Sequence, residues 1–344
     1  LLVLHQQIAT SLLLALVAAP CVSAQSLVVP AANAAARGTG GLNTLLRDTG
    51  NARTYMLGID AAQHLAGLPI GAVITGISFR ANVTASNAAS WPAVDASWAS
   101  YEIQVGSALP VASWTGAFAS NFASPPQLVR SGPMLITAGT FSNNTGLSAP
   151  TPNAWGEFYF DFQTPYVYAG GDLGIYFTHG GSSITGALFL DYIASNAANG
   201  FVAYSQTIFQ GTAGSLASAC IPRLHYGYGA GCPGASGIAP VLVSAGDLLG
   251  GGTARLAVGN AVAGQLGLFL LGSGRTQLPL FGSCNLLVLP LETLPFTLDA
   301  NGRFALAQQV APGILGTLDI QALTVDPGAP NGLVLANGVG FTAR

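Results

Sequence analysis

Gly229, Gly231 and Gly234 spell G-x-G-x-x-G inside YGYGAGCPGASG, residues 226–237. In a dinucleotide site such a loop follows a strand and opens a helix, whose N-terminal N–H groups hold the pyrophosphate. Here Pro233 lies inside the motif, and Gly237 and Pro240 stand where the helix would run. The next run, PVLVSAG, has the pattern of a strand. The segment therefore reads as a Gly-rich linker, residues 226–239, and not as a phosphate cradle.

The other chemistry-bearing residues are sparse. His179-Gly-Gly-Ser182 resembles a lipase oxyanion loop, but no G-x-S-x-G elbow accompanies it. It is expected to be a hairpin tip. His64, His179 and His225 stand at no zinc-motif spacing. Glycoside hydrolysis needs two carboxylates. Glu157 and Asp161 share one strand face, but four residues of strand span about 13 Å, too long for a retaining pair. Both are expected on a solvated face, and no catalytic residue is assigned. Oxygen-rich loops at 326–332 (DPGAPNG) and 47–53 (RDTGNAR) could suit calcium, although neither is an EF-hand loop. No cofactor is otherwise expected.

Aromatic residues offer a different chemistry. Trp91, Trp98, Trp114 and Trp155 all fall in the first two-thirds of the chain, with Tyr159, Tyr166 and Tyr168. Such side chains can stack on sugar rings, and they also fill sandwich cores. The four tryptophans are the candidate sugar-binding residues. Asn82-Val-Thr84 and Asn143-Asn-Thr145 are glycosylation sequons, relevant only where a secretory pathway glycosylates.

The elements that would position these groups are short strands. ARTYMLGI, VITGISFRANV, SYEIQVG, PMLITAG, EFYFDFQ, LGIYFTH, ALFLDYIA and GFVAYSQTIF are β-rich, and turn residues separate most of them. In 157–163 the alternation places Phe158, Phe160 and Phe162 on one face and polar residues and Tyr159 on the other. Only residues 61–66 of the mature chain suggest a helix. After the linker come APVLVSAG, TARLAVGN, LGLFLLG, CNLLVLPL, PFTLDANGRFALAQ, LDIQALTVD, GLVLAN and GVGFTAR. Asn301-Gly302 between apolar runs is a hairpin signature. The expectation is an all-β chain of two β-sandwich domains. Residues 25–225 would be jelly-roll-like, and residues 240–344 would be an Ig-sized sandwich.

Composition narrows the setting. Of 344 residues only 7% are charged, the net charge is −3, and all ten basic residues are arginine. No basic stripe exists to neutralise phosphates, which argues against nucleic acid and anionic membrane surfaces. Residues 1–24 carry an apolar run, Leu12 to Ala19, then Pro20 and Val22-Ser23-Ala24. This reads as a signal peptide cleaved after Ala24, so the protein is expected to be secreted or at the cell surface, with no membrane span in the mature chain. The chain starts with Leu and has no early Lys or Arg, so the gene product is expected to begin further upstream.

The second domain resembles a C-terminal module of exported proteins of environmental, GC-rich bacteria. The likeness rests on YGAGCPGASGIAPVL, LGLFLLGSG, LPLFGSCNLLV and LDIQALTVDPGAPNGLVLANGVGF, about a third of the chain. The first domain is more loosely similar to exported β-sandwich proteins through ITGISFR and FYFDFQTPYVYAGGDLGIYF. Some of those end in a sorting helix, where this chain ends in GVGFTAR. The resemblance implies export, no catalytic residue, and a Cys232–Cys284 disulfide. Cys220–Cys232 is the rival pairing, and chain entropy favours neither. The expected function is a non-enzymatic structural or adhesive protein whose partners are surface glycans or other cell-surface proteins. A carbohydrate-binding module and a secreted hydrolase are the alternatives.

Overall fold

The computed structural model describes residues 26–83, 89–143, 152–155, 158–246, 253–309 and 316–343. They are almost wholly β. By contacts the chain divides into two compact units, residues 27–224 and the segment from His225 onward, to which Ser26 also belongs, so that Ser26–Val28 and Arg223–Gly227 cross the boundary.

The strands of the first unit's two largest sheets, with β8 of a smaller one, are β1 (Ser26–Val28), β2 (Arg53–Ile59), β3 (Val73–Ser78), β4 (Tyr101–Ser107), β5 (Gln127–Arg130), β6 (Tyr159–Val167), β7 (Leu173–His179), β8 (Leu190–Ile193), β9 (Phe201–Gln206), β10 (Ser215–Ala217) and β11 (Arg223–Gly227). One sheet runs β10-β9-β2-β7-β4-β5, and a second runs β1-β11-β3-β6. The sheets stack through aromatic rings. Phe177 of β7 lies 6.0 Å from Phe79 and 6.2 Å from Phe160 of β6, and Tyr101 of β4 lies 5.2 Å from Phe160. The alternation expected at 158–163 holds from residue 159 on: Phe160 and Phe162 are buried, while Tyr159, Asp161 and Gln163 are half-buried, and Phe158, expected on the buried face, is half-buried too. Glu157 lies outside the described residues. The suggested helix is one turn, Ala61–His64, capped by the Asp60 carboxylate on the Gln63 N–H.

The six-stranded sheet is covered on its other face too. Met56, Tyr176 and Val202 meet Val111, Trp114 and Phe118 from the loop that follows β4. Glycines make room for that loop. Gly58, Gly174 and Gly106 stand opposite one another across β2, β7 and β4. A Cβ on Gly58 would lie 2.7 Å from the Trp114 ring, and one on Gly174 would lie 2.7 Å from the Phe122 ring.

The second unit holds β12 (Val241–Gly246), β13 (Thr253–Gly259), β14 (Leu266–Gly272), β15 (Arg275–Phe281), β16 (Cys284–Val288), β17 (Glu292–Thr297), β18 (Phe304–Gln309), β19 (Gly316–Val325) and β20 (Leu333–Ala343). The sheets β12-β13-β18 and β17-β14-β19-β20 stack as a sandwich, with β15-β16 as a separate hairpin. Phe304 bridges the layers, 4.8 Å from Phe296 and 5.8 Å from Phe269. The sequence pattern missed β15, whose Pro279 and largely exposed side chains hide its alternation.

Two expectations need correction here. Asn301-Gly302 does not close a hairpin, because β17 pairs with β14 and β18 pairs with β13. The Asp299 carboxylate accepts the N–H groups of Asn301 and Arg303, which tightens a turn whose arms enter different sheets. Residues 226–239 are not a free linker. Cys232 is buried and bonded to Cys284, and its N–H donates to Leu335 O at 2.9 Å. The closed loop spans 52 residues. A loop of that length restricts the unfolded chain by roughly 4 kcal/mol in the chain-entropy account.

Candidate functional site

The glycine motif is part of the second unit's packing. A Cβ on Gly231 would meet Leu335 O at 2.8 Å and Pro240 O at 3.0 Å, so only glycine fits. The Ala235 N–H donates to the Asp326 carboxylate at 2.8 Å, and the Gly234 N–H to Ile238 O at 3.0 Å. The N–H groups of Cys232, Gly234 and Ala235 are thus spent within the fold. Asp326, the first residue of the 326–332 loop, is buried. Its Oδ2 accepts from Ala235, and its Oδ1 accepts from Gly328 at 3.0 Å. Each oxygen thus has an N–H donor within the fold. In the 47–53 loop Asp48 accepts from Asn51 Nδ2 at 2.8 Å and lies 3.9 Å from the Arg47 guanidinium. Among the described residues no three His, Cys, Asp or Glu side chains gather as a metal site would need.

His179 ends β7 and is buried against Tyr101, the two rings stacked 5.2 Å apart. Its Nδ1 accepts the Gly181 N–H at 3.1 Å, which leaves the proton on Nε2 to donate to Thr44 O at 3.1 Å. Burial lowers its pKa to about 4, aided by Arg53 and Arg47 and opposed by the Thr44 carbonyl. The expected hairpin tip at 180–183 is instead a loop between strands of different sheets, since β8 pairs with residues 40–42 and 219–220. Its N–H groups are used internally: Ser182 donates to Arg47 O and Ser183 to Ser97 O. No pair of amides is left converging as an oxyanion hole requires.

Asp161 does not stand on a solvated face. Its carboxylate bonds the buried Arg130 guanidinium at 2.6 Å. Arg130 lies on β5, outside the strand pattern from which Asp161 was read, so a single-strand view could not supply it.

Sequence reasoning missed a fully enclosed ion pair. Arg80, just past β3, pairs with Asp191 of β8 at 2.6 Å, with side chains 0% and 2% exposed. Asn82 donates to the other Asp191 oxygen at 2.6 Å and to Gly40 O at 2.9 Å. The remaining Arg80 nitrogens bond the carbonyls of Ala34 and Ala36. An arginine thus staples the alanine-rich segment before residue 37 to the strand. Trp155 lies beside it, with Arg80 5.0 Å and Arg223 5.8 Å from its ring centroid.

This packing corrects the sugar-platform expectation. Trp91 is 7% exposed, Trp98 0% and Trp114 7%, so none presents a face to solvent. Trp91 and Trp98 are in ring contact at 6.4 Å, and the Trp91 indole donates to Gly186 O. Trp155 is half-buried and engaged by two guanidiniums. Tyr166 and Tyr168 are buried as well. The sequon asparagines are also interior: Asn82 is buried as described, and buried Asn143 accepts from Asn153 Nδ2 at 2.8 Å. Folding therefore shields both acceptor amides.

Cys220 is the free cysteine among the described residues and is fully buried. Its thiol pKa is pushed up to about 12 by burial, which the Tyr55 hydroxyl partly offsets. The Cys220–Cys232 alternative is excluded, because Cys232 is bonded to Cys284. Among the described residues no helix is long and apolar enough to cross a membrane, a statement that does not bear on β-barrels. No family model matches the chain, and no curated protein matches it either.

Proposed function

We propose that this chain is a non-enzymatic, exported structural or adhesive protein that acts through its β surfaces. One observation carries the reading: among the described residues, four side chains able to do acid–base or nucleophilic chemistry are engaged by the fold itself. His179 is neutral and bonded through both nitrogens, Asp161 and Asp191 neutralise buried arginines, and Cys220 is a buried thiol. Groups tuned for turnover are instead held facing a cavity with partners to spare. Export is supported by the Cys232–Cys284 disulfide, a bond that persists in oxidising compartments, and by the apolar leader at residues 1–24.

The test has two arms. The purified chain is assayed against a panel of glycans, esters and peptides, and its native location is found by fractionation. No turnover and an extracellular or surface-bound pool are expected. Turnover abolished by Glu157→Ala or Asp161→Ala in a chain that still folds would establish the hydrolase alternative.

A further inference from the structure

Three described arginines each hold an aspartate at 3.0 Å or less: Arg80 with Asp191, Arg130 with Asp161 and Arg275 with Asp319. Arg47 and Arg53 are placed differently. The acid that offsets them among the described residues is Asp48, 3.9 Å from Arg47 Nε and so beyond hydrogen-bond reach. That carboxylate already accepts from Asn51 Nδ2 at 2.8 Å. Arg47 Nε is buried without a hydrogen-bond partner, and its Nη2 makes one long bond, 3.4 Å, to Asn51 Oδ1. Arg53 spends one nitrogen, Nη1, on the neighbouring Ala52 carbonyl at 2.9 Å.

The fold brings the two arginines to one place. The Asn51 N–H donates to Asp48 O at 3.2 Å, and this turn doubles the chain back so that Arg47 and Ala52 flank its base. Arg53 follows, opens β2 and stands opposite His179, the last residue of β7. Gly181 packs on the turn: a Cβ there would lie 2.8 Å from Asp48 O and 3.0 Å from Asn51 N. Burial and then the Arg47 charge lower the Arg53 pKa, and both arginines repel a proton from the buried His179 ring. With His179 neutral, two positive charges and one negative meet here. The Arg47 side chain is 19% exposed and Arg53 is half-buried, so the excess charge is partly withdrawn from water, where it acts more strongly.

We propose that Arg47 and Arg53 together bind one oxyanion group at this end of the six-stranded sheet. Sulfate, phosphate and carboxylate share the chemistry: a delocalised negative charge whose several acceptor oxygens suit guanidinium N–H groups. The anion cancels the excess charge and takes up guanidinium donors that the fold leaves unused. Asp48 limits the affinity, because its carboxylate repels the ligand. The inference concerns binding alone and stands whether or not the functional reading above holds.

Calorimetric titration of the purified chain with sodium sulfate, sodium phosphate and a polyuronate, at low ionic strength, tests it. Saturable binding of one ion per chain is expected. Arg53→Gln should weaken it by about tenfold or more, the scale of a hydrogen bond to a charged group. Asp48→Asn should tighten it several-fold, a gain that a folding defect does not imitate. Arg37→Gln removes an exposed arginine elsewhere and should leave binding unchanged. Saturating sulfate should also raise the pH at which the His179 ring titrates by NMR, since the ion offsets both arginines. A polyuronate that binds and follows the same variants makes the source an acidic glycan. Sulfate or phosphate binding without the polyuronate supports the site and makes its ligand a free ion. Absence of saturable binding by all three overturns the proposal. So does binding that Arg37→Gln weakens as much as Arg53→Gln, or that Asp48→Asn fails to tighten.

Discussion

Gly174 stands directly opposite Gly58 in the six-stranded sheet, and the pair forms the floor on which Trp114 and Phe122 lie. Elsewhere in a strand, replacing glycine by alanine stabilises by about 0.4–1 kcal/mol through the unfolded chain. Here the new methyl would stand 2.7 Å from an aromatic ring. Gly58→Ala and Gly174→Ala are each expected to destabilise by about 1–3 kcal/mol, the usual cost of overpacking. Gly259→Ala, where nothing lies within 4 Å, is the control and should be neutral or stabilising. Urea midpoints of the three variants check the order, and equal shifts would refute the floor.

Breaking the Arg80–Asp191 pair should cost more than breaking Arg130–Asp161. Asp191→Ala strands a guanidinium that is 0% exposed, at a cost of about 3–5 kcal/mol. Both arginines keep two carbonyl bonds when the carboxylate is lost, but Asp161 is 27% exposed at its side chain, so water can take its place beside Arg130. Asp161→Ala should cost about 1–3 kcal/mol. Denaturation of the two variants side by side gives the ranking, and a larger loss for Asp161→Ala would reverse the assignment of which pair anchors the fold.

The strands were legible because burial of one face writes period two directly into the chain, as at Phe160, Asp161 and Phe162. The polar network was not, because its members are brought together only by the sheets. Arg80 and Asp191 are 111 residues apart, and neither has a motif. The glycine row was hidden for the same reason: MLGI, QVG and LGIYF each show one glycine, and only register aligns them. Asn301-Gly302 was read correctly as a turn but wrongly as a hairpin, since turn chemistry does not say which sheet each arm joins. The tryptophans were ambiguous in principle, because sugar platforms and cores use the same side chain, and burial alone separates them.

Cys220 should behave as an inert thiol. A reagent attacks the thiolate, and burial holds this group protonated, with a pKa of about 12. Modification of the native chain at mildly alkaline pH is expected to be slow and to follow unfolding. Denaturant should then make the Cys220 thiol reactive, while Cys232 and Cys284 stay bonded. Mass analysis of native and unfolded samples checks this. Rapid labelling of Cys220 in the native chain would contradict its place in the core.

Acid should weaken the first unit through His179. In the unfolded chain a histidine titrates near 6.5, whereas in the fold this one titrates near 4. Between those values the unfolded chain binds the extra proton and the fold does not, so stability rises with pH across the window. Above about 6.5 both states are neutral and the full contribution is present. It is lost progressively as pH falls toward 4, by about 3 kcal/mol in all at roughly 1.4 kcal/mol per unit. The cause is burial, with Arg53 and Arg47 adding repulsion to the charged ring. His179→Gln has no proton to gain, so its unfolding free energy should be flatter from pH 6.5 to 4 than that of the parent chain. Urea titrations at several pH values compare the two slopes. Parallel slopes would mean that His179 is charged or solvated in the fold, contrary to its stacking on Tyr101 and its bond to Thr44.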